Sequence, residues 1–136
     1  MSGDPNIPTR SRQLVVARDQ NRCVRCRVTV TTGAWHHRRS RSVVDSHQHC
    51  PCNGILLCHT CHAWVHAYPF DARGSGWIVT RAQPEPWVVP VQRATGDHWM
   101  NLDCYGGMRH TTATSLDEAA AAFTLDSGGN LPQLPE

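Results

Sequence analysis

Two Cys-x-x-Cys pairs are the residues of this chain whose types and spacing most directly indicate chemistry. They are Cys23-Val-Arg-Cys26 and Cys58-His-Thr-Cys61. Four thiolates in two such pairs match the ligand set of a closed tetrahedral zinc site. We therefore predict a structural Zn²⁺ on Cys23, Cys26, Cys58 and Cys61. The alternative, four buried free cysteines, leaves the repeated spacing unexplained.

Histidines lie between the two pairs and directly after the second. His36 and His37 are adjacent, and His62 follows Cys61. On a helix that begins near Cys61, His62 and His66 share one face, with their Cβ atoms about 5–6 Å apart. Imidazole binds divalent ions and titrates near neutral pH, so these residues suit a second metal and a general base. The pattern predicts a metal-dependent hydrolase built around a structural zinc.

The elements that must position these residues indicate an α+β fold. Thr60 can cap a helix that ends before Pro69, and a short apolar strand, residues 55–57, leads into the second cysteine pair. Three later runs predict a small C-terminal antiparallel sheet: residues 77–81, 87–89 and 98–102. The sequence Ser115-Leu-Asp-Glu118 is a capping box ahead of a late helix.

Length and composition indicate one domain in a reducing compartment. The chain has 136 residues and seven cysteines, an odd number that does not favour a disulfide scaffold. No apolar run reaches the roughly 18–20 residues of a membrane span, and the first residues lack the apolar core of a signal peptide. We therefore expect a cytoplasmic protein with no membrane partner.

The basic residues are concentrated in the front half. Nine of the 13 basic residues lie between Arg10 and Arg41, and all 13 are arginines. Codon usage in a GC-rich genome explains the missing lysine but not this clustering. Arginine binds phosphate bidentately, so the pattern indicates a nucleic-acid partner. We predict phosphate contacts from Arg38, Arg39 and Arg41.

Together the motifs resemble those of the HNH endonucleases, and the whole chain is similar to small HNH proteins of actinobacterial phages. The resemblance covers residues 12–68. It rests on Trp35-His36-His37-Arg38, on Asn53 five residues before Cys58, and on Cys61-His62 at a helix start. It implies a treble-clef ββα-metal finger, residues 22–68, that cleaves DNA phosphodiester bonds. It also implies a phage setting in the host cytoplasm, with DNA packaging beside terminase and portal proteins or a homing-type nick.

The resemblance assigns a role to each site residue. His37 would be the general base, and Asn53 would pin the loop and hold His37 in one tautomer. His36 and His62 would hold a catalytic Mg²⁺, Mn²⁺, Ni²⁺ or Zn²⁺, with His66 as a third ligand or a phosphate contact. Simpler interpretations remain open: a surface histidine at position 36 or 37, a packed or solvated His66, and an ordinary turn residue at Asn53.

The composition and local patterns along the chain also suggest domain limits. We expect a disordered stretch at 1–10, a nuclease domain at 11–110 with its sheet at 77–103, and a short helix with a loose tail at 111–136. Four residues are interpreted as incidental to the site, namely His47, His49, Cys50 and Cys52, because neighbouring ligands rarely complete one tetrahedron unaided. Cys104 is taken as a sheet residue. The rival function is a non-catalytic zinc-ribbon module that binds nucleic acid or protein.

Overall fold

The computed structural model describes residues 6–30, 34–82, 85–94 and 96–127. In that part of the chain it combines helices with two small antiparallel sheets, which confirms the predicted α+β class. The helices are α1 Thr9–Asp19, α2 His59–Ala67, α3 Pro69–Gly74 and α4 Leu116–Ser127. The strands are β1 Ala34–His37, β2 Gly54–Leu57, β3 Val91–Gln92, β4 His98–Leu102 and β5 Met108–Thr112. None of the described helices is long and apolar enough to cross a membrane.

A β-hairpin followed by a helix forms the centre of the molecule. Strands β1 and β2 pair antiparallel, with His36 opposite Ile55 and His37 opposite Gly54. A Cβ atom on Gly54 would overlap the ring of Trp35, so only glycine fits there. Helix α2 follows β2 after a single residue. The sequence therefore keeps the hairpin and α2 close together.

The predicted cap of α2 is wrong. The N-cap is Cys58, whose Sγ accepts a hydrogen bond from the Cys61 N–H at 3.4 Å, so the helix begins at His59. Thr60 is already inside the helix. The reason is that the Cys-x-x-Cys turn itself supplies the acceptor that a hydroxyl supplies at other helix starts.

A buried ion pair fastens α1 to the hairpin. The Arg18 guanidinium binds the Asp19 carboxylate at 2.8 Å and also donates to the carbonyls of Pro51 and Gly54. The Asp19 carboxylate in turn accepts from the Leu56 N–H at 3.0 Å. One arginine of the basic front half is thus a structural residue.

The C-terminal sheet lies further along the chain than predicted. It is β3-β4-β5 and covers residues 91–112, not 77–103. In the stretch predicted as 77–81, Val79 makes only an isolated bridge to Arg39. Residues Pro86–Val88 are a 3-10 helix. Prolines 86 and 90 bracket that segment, and because proline lacks an N–H it cannot donate to a ladder.

The ordered domain extends beyond both of its predicted limits, residues 11 and 110. Ile7 is buried and α1 begins at Thr9, so disorder over 1–10 is wrong for its last residues. Residues 1–5 and 128–136 lie outside the described part of the chain. The late helix forms as predicted, with Ser115 Oγ accepting from the Glu118 N–H at 3.2 Å. It packs on the sheet, where Phe123 and Trp99 are buried together, so residues 111–127 belong to the domain.

Candidate metal centres and the histidine site

The four-cysteine cluster, Cys23, Cys26, Cys58 and Cys61, is assembled from two similar turns. All four Sγ atoms lie within 4.8 Å of one another. The Sγ atoms of Cys26 and Cys58 are 3.7 Å apart, and a tetrahedral site with Zn–S bonds of about 2.3 Å needs about 3.8 Å. In each pair the backbone N–H of the second cysteine donates to the Sγ atom of the first. The distance is 3.5 Å from Cys26 N to Cys23 Sγ and 3.4 Å from Cys61 N to Cys58 Sγ. The predicted cysteines are brought together in a geometry compatible with zinc.

Arg25 lies against this cluster. Its guanidinium stacks over the Trp64 ring at 3.9 Å and donates to Cys61 Sγ at 3.4 Å. Four thiolates around one divalent ion leave excess negative charge, and a guanidinium beside a sulfur offsets part of it. Arg25 is therefore a partner of the cluster.

The three-histidine cluster is His36, His62 and His66. His36 comes from β1, and the other two come from successive turns of α2. The Nε2 atoms of His62 and His66 are 3.1 Å apart, close to the roughly 3.3 Å expected for two nitrogens on one zinc ion. The His36 ring centroid lies 5.2 Å from that of His62 and 5.7 Å from that of His66. These residues are compatible with a bound divalent metal.

His36 is held in the tautomer that a ligand needs. Its Nε2 lies 2.8 Å from the carbonyl oxygen of Trp77. A carbonyl only accepts, so Nε2 carries the hydrogen and Nδ1 keeps its lone pair. His36 is 2 % exposed, and this burial lowers its pKa to about 3, so the ring is neutral at physiological pH.

His37 lies on the other face of β1, as alternation along a strand requires. It is half-buried, and its Nε2 lies 3.2 Å from Nδ1 of His49. The interpretation of His49 as incidental to the site did not anticipate this contact. Asn53 is buried and binds the loop backbone with both ends of its amide: Oδ1 accepts from the Arg39 N–H, and Nδ2 donates to the Gln48 carbonyl.

A third group was missed. His47, Cys50, Cys52 and Cys104, here called the mixed cluster, bring their ligand atoms within 4.8 Å of one another. The interpretation of the first three as incidental did not anticipate this grouping, and Cys104 lies in the turn between β4 and β5, not in a strand of the sheet. The available signal was the odd cysteine count, because a Cys-x-Cys pair needs a distant partner to complete a site.

The structure contradicts the predicted phosphate contact for two of the three arginines. Arg38 and Arg39 are each 1 % exposed, so neither faces a phosphate in this structure. The Arg38 guanidinium donates to four carbonyls, those of Cys52, Gly76, Pro86 and Val89. Arg39 binds the Asp45 carboxylate at 2.7 Å. Both hold loops together, whereas Arg41 is exposed.

Comparison of the chain with protein-family models, with curated proteins and with solved structures gives no match. The resemblance to HNH endonucleases thus depends on the motifs and on what the described residues can do. Chemically, they offer a closed set of sulfur ligands, a partly open set of nitrogen ligands and a neighbouring imidazole pair.

Proposed function

We propose that this protein is a metal-dependent endonuclease that hydrolyses DNA phosphodiester bonds. The observation that carries the proposal is the convergence of His36, His62 and His66 at the hairpin, where His37 follows His36 on the same strand. We interpret this hairpin and α2 as a treble-clef ββα-metal finger, with a structural zinc on the four-cysteine cluster. A binding module has no need for four imidazoles in this arrangement.

The three-histidine cluster would hold the catalytic divalent ion, with Nδ1 of His36 as one ligand. When bound, that ion would supply Lewis-acid stabilisation of the phosphate and of the leaving oxygen. The open side of the site is formed by α2, where His62 is half-buried and His66 is exposed. A phosphate group and water therefore have a route to the ligands, which distinguishes this cluster from a closed structural site.

His37 would take a proton from the attacking water. It is half-buried, so part of the side chain is accessible to water. The neighbouring imidazole of His49, whose Nδ1 lies 3.2 Å from Nε2 of His37, limits rotation of the His37 ring. A base positioned in this way typically contributes about 10²–10⁴ in rate.

DNA contact would come from the arginines that remain at the surface. Arg41, in the loop after β1, and Arg22, beside the first cysteine pair, are both exposed. Neutralising phosphates with such residues gives an affinity that falls with salt. Binding of DNA would thus need neither of the two arginines that the fold has buried.

The test is cleavage of supercoiled plasmid by the purified chain with Mg²⁺ or Mn²⁺, with EDTA in a parallel reaction. His62→Ala should abolish cleavage and weaken Mn²⁺ binding, measured by calorimetry, by more than the roughly 10–100-fold cost of losing an outer partner. His59→Ala is the matched control, because His59 is an exposed residue of the same helix outside the cluster. Equal metal-independent activity in all three proteins, or none, would contradict the proposal and favour a zinc-ribbon binding module.

A further inference from the structure

The mixed cluster joins parts of the chain that are distant in sequence. His47 and Cys50 lie in the loop between β1 and β2, and Cys52 lies in the short 3-10 helix that ends this loop. Cys104 lies in the turn between β4 and β5. With this cluster, each of the seven cysteines belongs to one of two groups, four in the first and three here. The odd count is thus explained by two separate sites.

The spacing of its ligand atoms fits a zinc ion. The Sγ atoms of Cys50 and Cys52 are 3.2 Å apart, against about 3.8 Å for two sulfurs on tetrahedral zinc. Nδ1 of His47 lies 3.9 Å from Cys52 Sγ and 4.0 Å from Cys104 Sγ, against about 3.6 Å. Small side-chain movements complete the tetrahedron.

The cluster is largely shielded from solvent. Its three cysteines are buried, and the half-buried His47 packs its ring on Trp87 with centroids 4.3 Å apart. Four protein ligands with no open position are typical of a structural zinc, and Cys₃His is one of the common ligand sets. Such a site holds the fold together and leaves no coordination position for a substrate.

The buried positive charge of Arg38 is an independent reason to expect a metal in the mixed cluster. The buried guanidinium of Arg38 has four backbone carbonyls as acceptors, one of them the Cys52 carbonyl at 2.7 Å. A buried cation is costly unless an opposite charge lies near it. Zinc with three thiolates carries one net negative charge, so the loaded cluster would supply that counter-charge beside Arg38.

We propose that His47, Cys50, Cys52 and Cys104 bind a second structural zinc. This ion fastens the β4–β5 turn to the loop between β1 and β2. The same loop carries His49 against His37, so the second zinc also holds the proposed general base in place. The proposal does not depend on nuclease activity.

The decisive measurement uses the unaltered protein. The full chain, purified under reducing conditions and dialysed against EDTA to remove exchangeable metal, should retain two zinc ions by native mass spectrometry. X-ray absorption at the zinc edge should show seven sulfur ligands and one nitrogen ligand shared between the two ions. The count should stay at two in His62→Ala, which separates this site from the three-histidine cluster. One zinc per chain, or a disulfide among the three cysteines, would overturn the proposal.

Variants locate the second ion. Cys104→Ser should lower the zinc content from two ions per chain to one. His47→Ala should lower the affinity for one zinc, measured by competition with a chelator, at least about tenfold, since removing even an outer partner costs about 10–100-fold in affinity. His49→Ala is the control, being two residues away in the same loop and outside the cluster. Equal zinc retention by His47→Ala and His49→Ala would refute the assignment. If Cys104→Ser does not fold, the number of zinc ions bound by the unaltered chain decides whether the second site exists.

Discussion

Helix α2 contributes to two clusters of opposite character. Its N-terminal end supplies Cys58 and Cys61 to the four-cysteine cluster, and its next turns supply His62 and His66 to the three-histidine cluster. The first set is all sulfur, and Cys61 is buried. The second is all nitrogen, and His66 is exposed. The difference teaches that one helix can contribute sulfur ligands at its start and nitrogen ligands of greater exposure in its next turns.

The two clusters are coupled through the register of the helix. Because the Cys58 turn determines where α2 begins, it also determines that the following histidines face His36 on β1. A metal at the sulfur end would stabilise the fold, and a metal at the nitrogen end would serve chemistry. The predictions below test this division, beginning with the change that removes the most stability.

Cys58→Ser should abolish folding. Structural zinc is worth roughly 10–16 kcal/mol in isolated fingers, which matches or exceeds the whole stability of a typical domain, about 5–15 kcal/mol. Circular dichroism and thermal denaturation with zinc present would measure the loss. Thr60→Ala is the matched control and should behave like the parent, because the cap of α2 is Cys58. A zinc-free protein that retains its fold would show that the four-cysteine cluster needs no metal for folding.

His37→Ala should lower the cleavage rate by about 10²–10⁴, the usual contribution of a general base, while Mn²⁺ and DNA binding persist. His36→Ala, one residue away, should instead weaken the exchangeable metal, since its ring belongs to the three-histidine cluster. Plasmid cleavage and calorimetric Mn²⁺ titration on both variants would separate the roles. If His37→Ala loses the metal and His36→Ala keeps it, the assignments are reversed.

The sequence was informative where ligands are near each other in the chain. The four-cysteine cluster follows from two local pairs, and the histidines of α2 follow from helical spacing. For the mixed cluster, the odd cysteine count indicated a distant partner for Cys50 and Cys52 but could not identify it, because Cys104 reaches them only through the pairing of β4 and β5 and the packing of that sheet on the finger.

Charge was misleading for a related physical reason. A run of arginines indicates a phosphate partner only if the guanidinium groups stay in water, and the sequence does not state where backbone carbonyls will converge. Arg38 follows β1 and is directed into a set of carbonyls from the 3-10 segments and the Gly76 turn. Pro86, which begins one of those segments, also disfavours the strand predicted at 87–89.

Arg38→Met and Arg41→Ala should therefore behave oppositely. The first leaves buried carbonyls without donors and should lower the free energy of unfolding by about 2–4 kcal/mol. The second should leave stability unchanged and reduce the log–log salt slope of DNA binding by about 0.9. Urea denaturation and binding at several salt concentrations would measure the two effects. An Arg38→Met variant that is as stable as the parent but binds DNA weakly would indicate that Arg38 contacts phosphate and is not a structural residue.

The smallest expected effect is that of His49→Ala, which removes the contact to Nε2 of His37. A neutral hydrogen bond contributes about 0.5–1.5 kcal/mol, so kcat should fall about 2–10-fold while KM for plasmid and Mn²⁺ affinity stay the same. His49→Gln, whose amide can still reach the ring, should recover most of the rate. Recovery with an unchanged zinc count would show that His49 positions His37, because a loss of loop structure would alter metal content as well. If both variants cleave as fast as the parent, the imidazole pair has no part in catalysis.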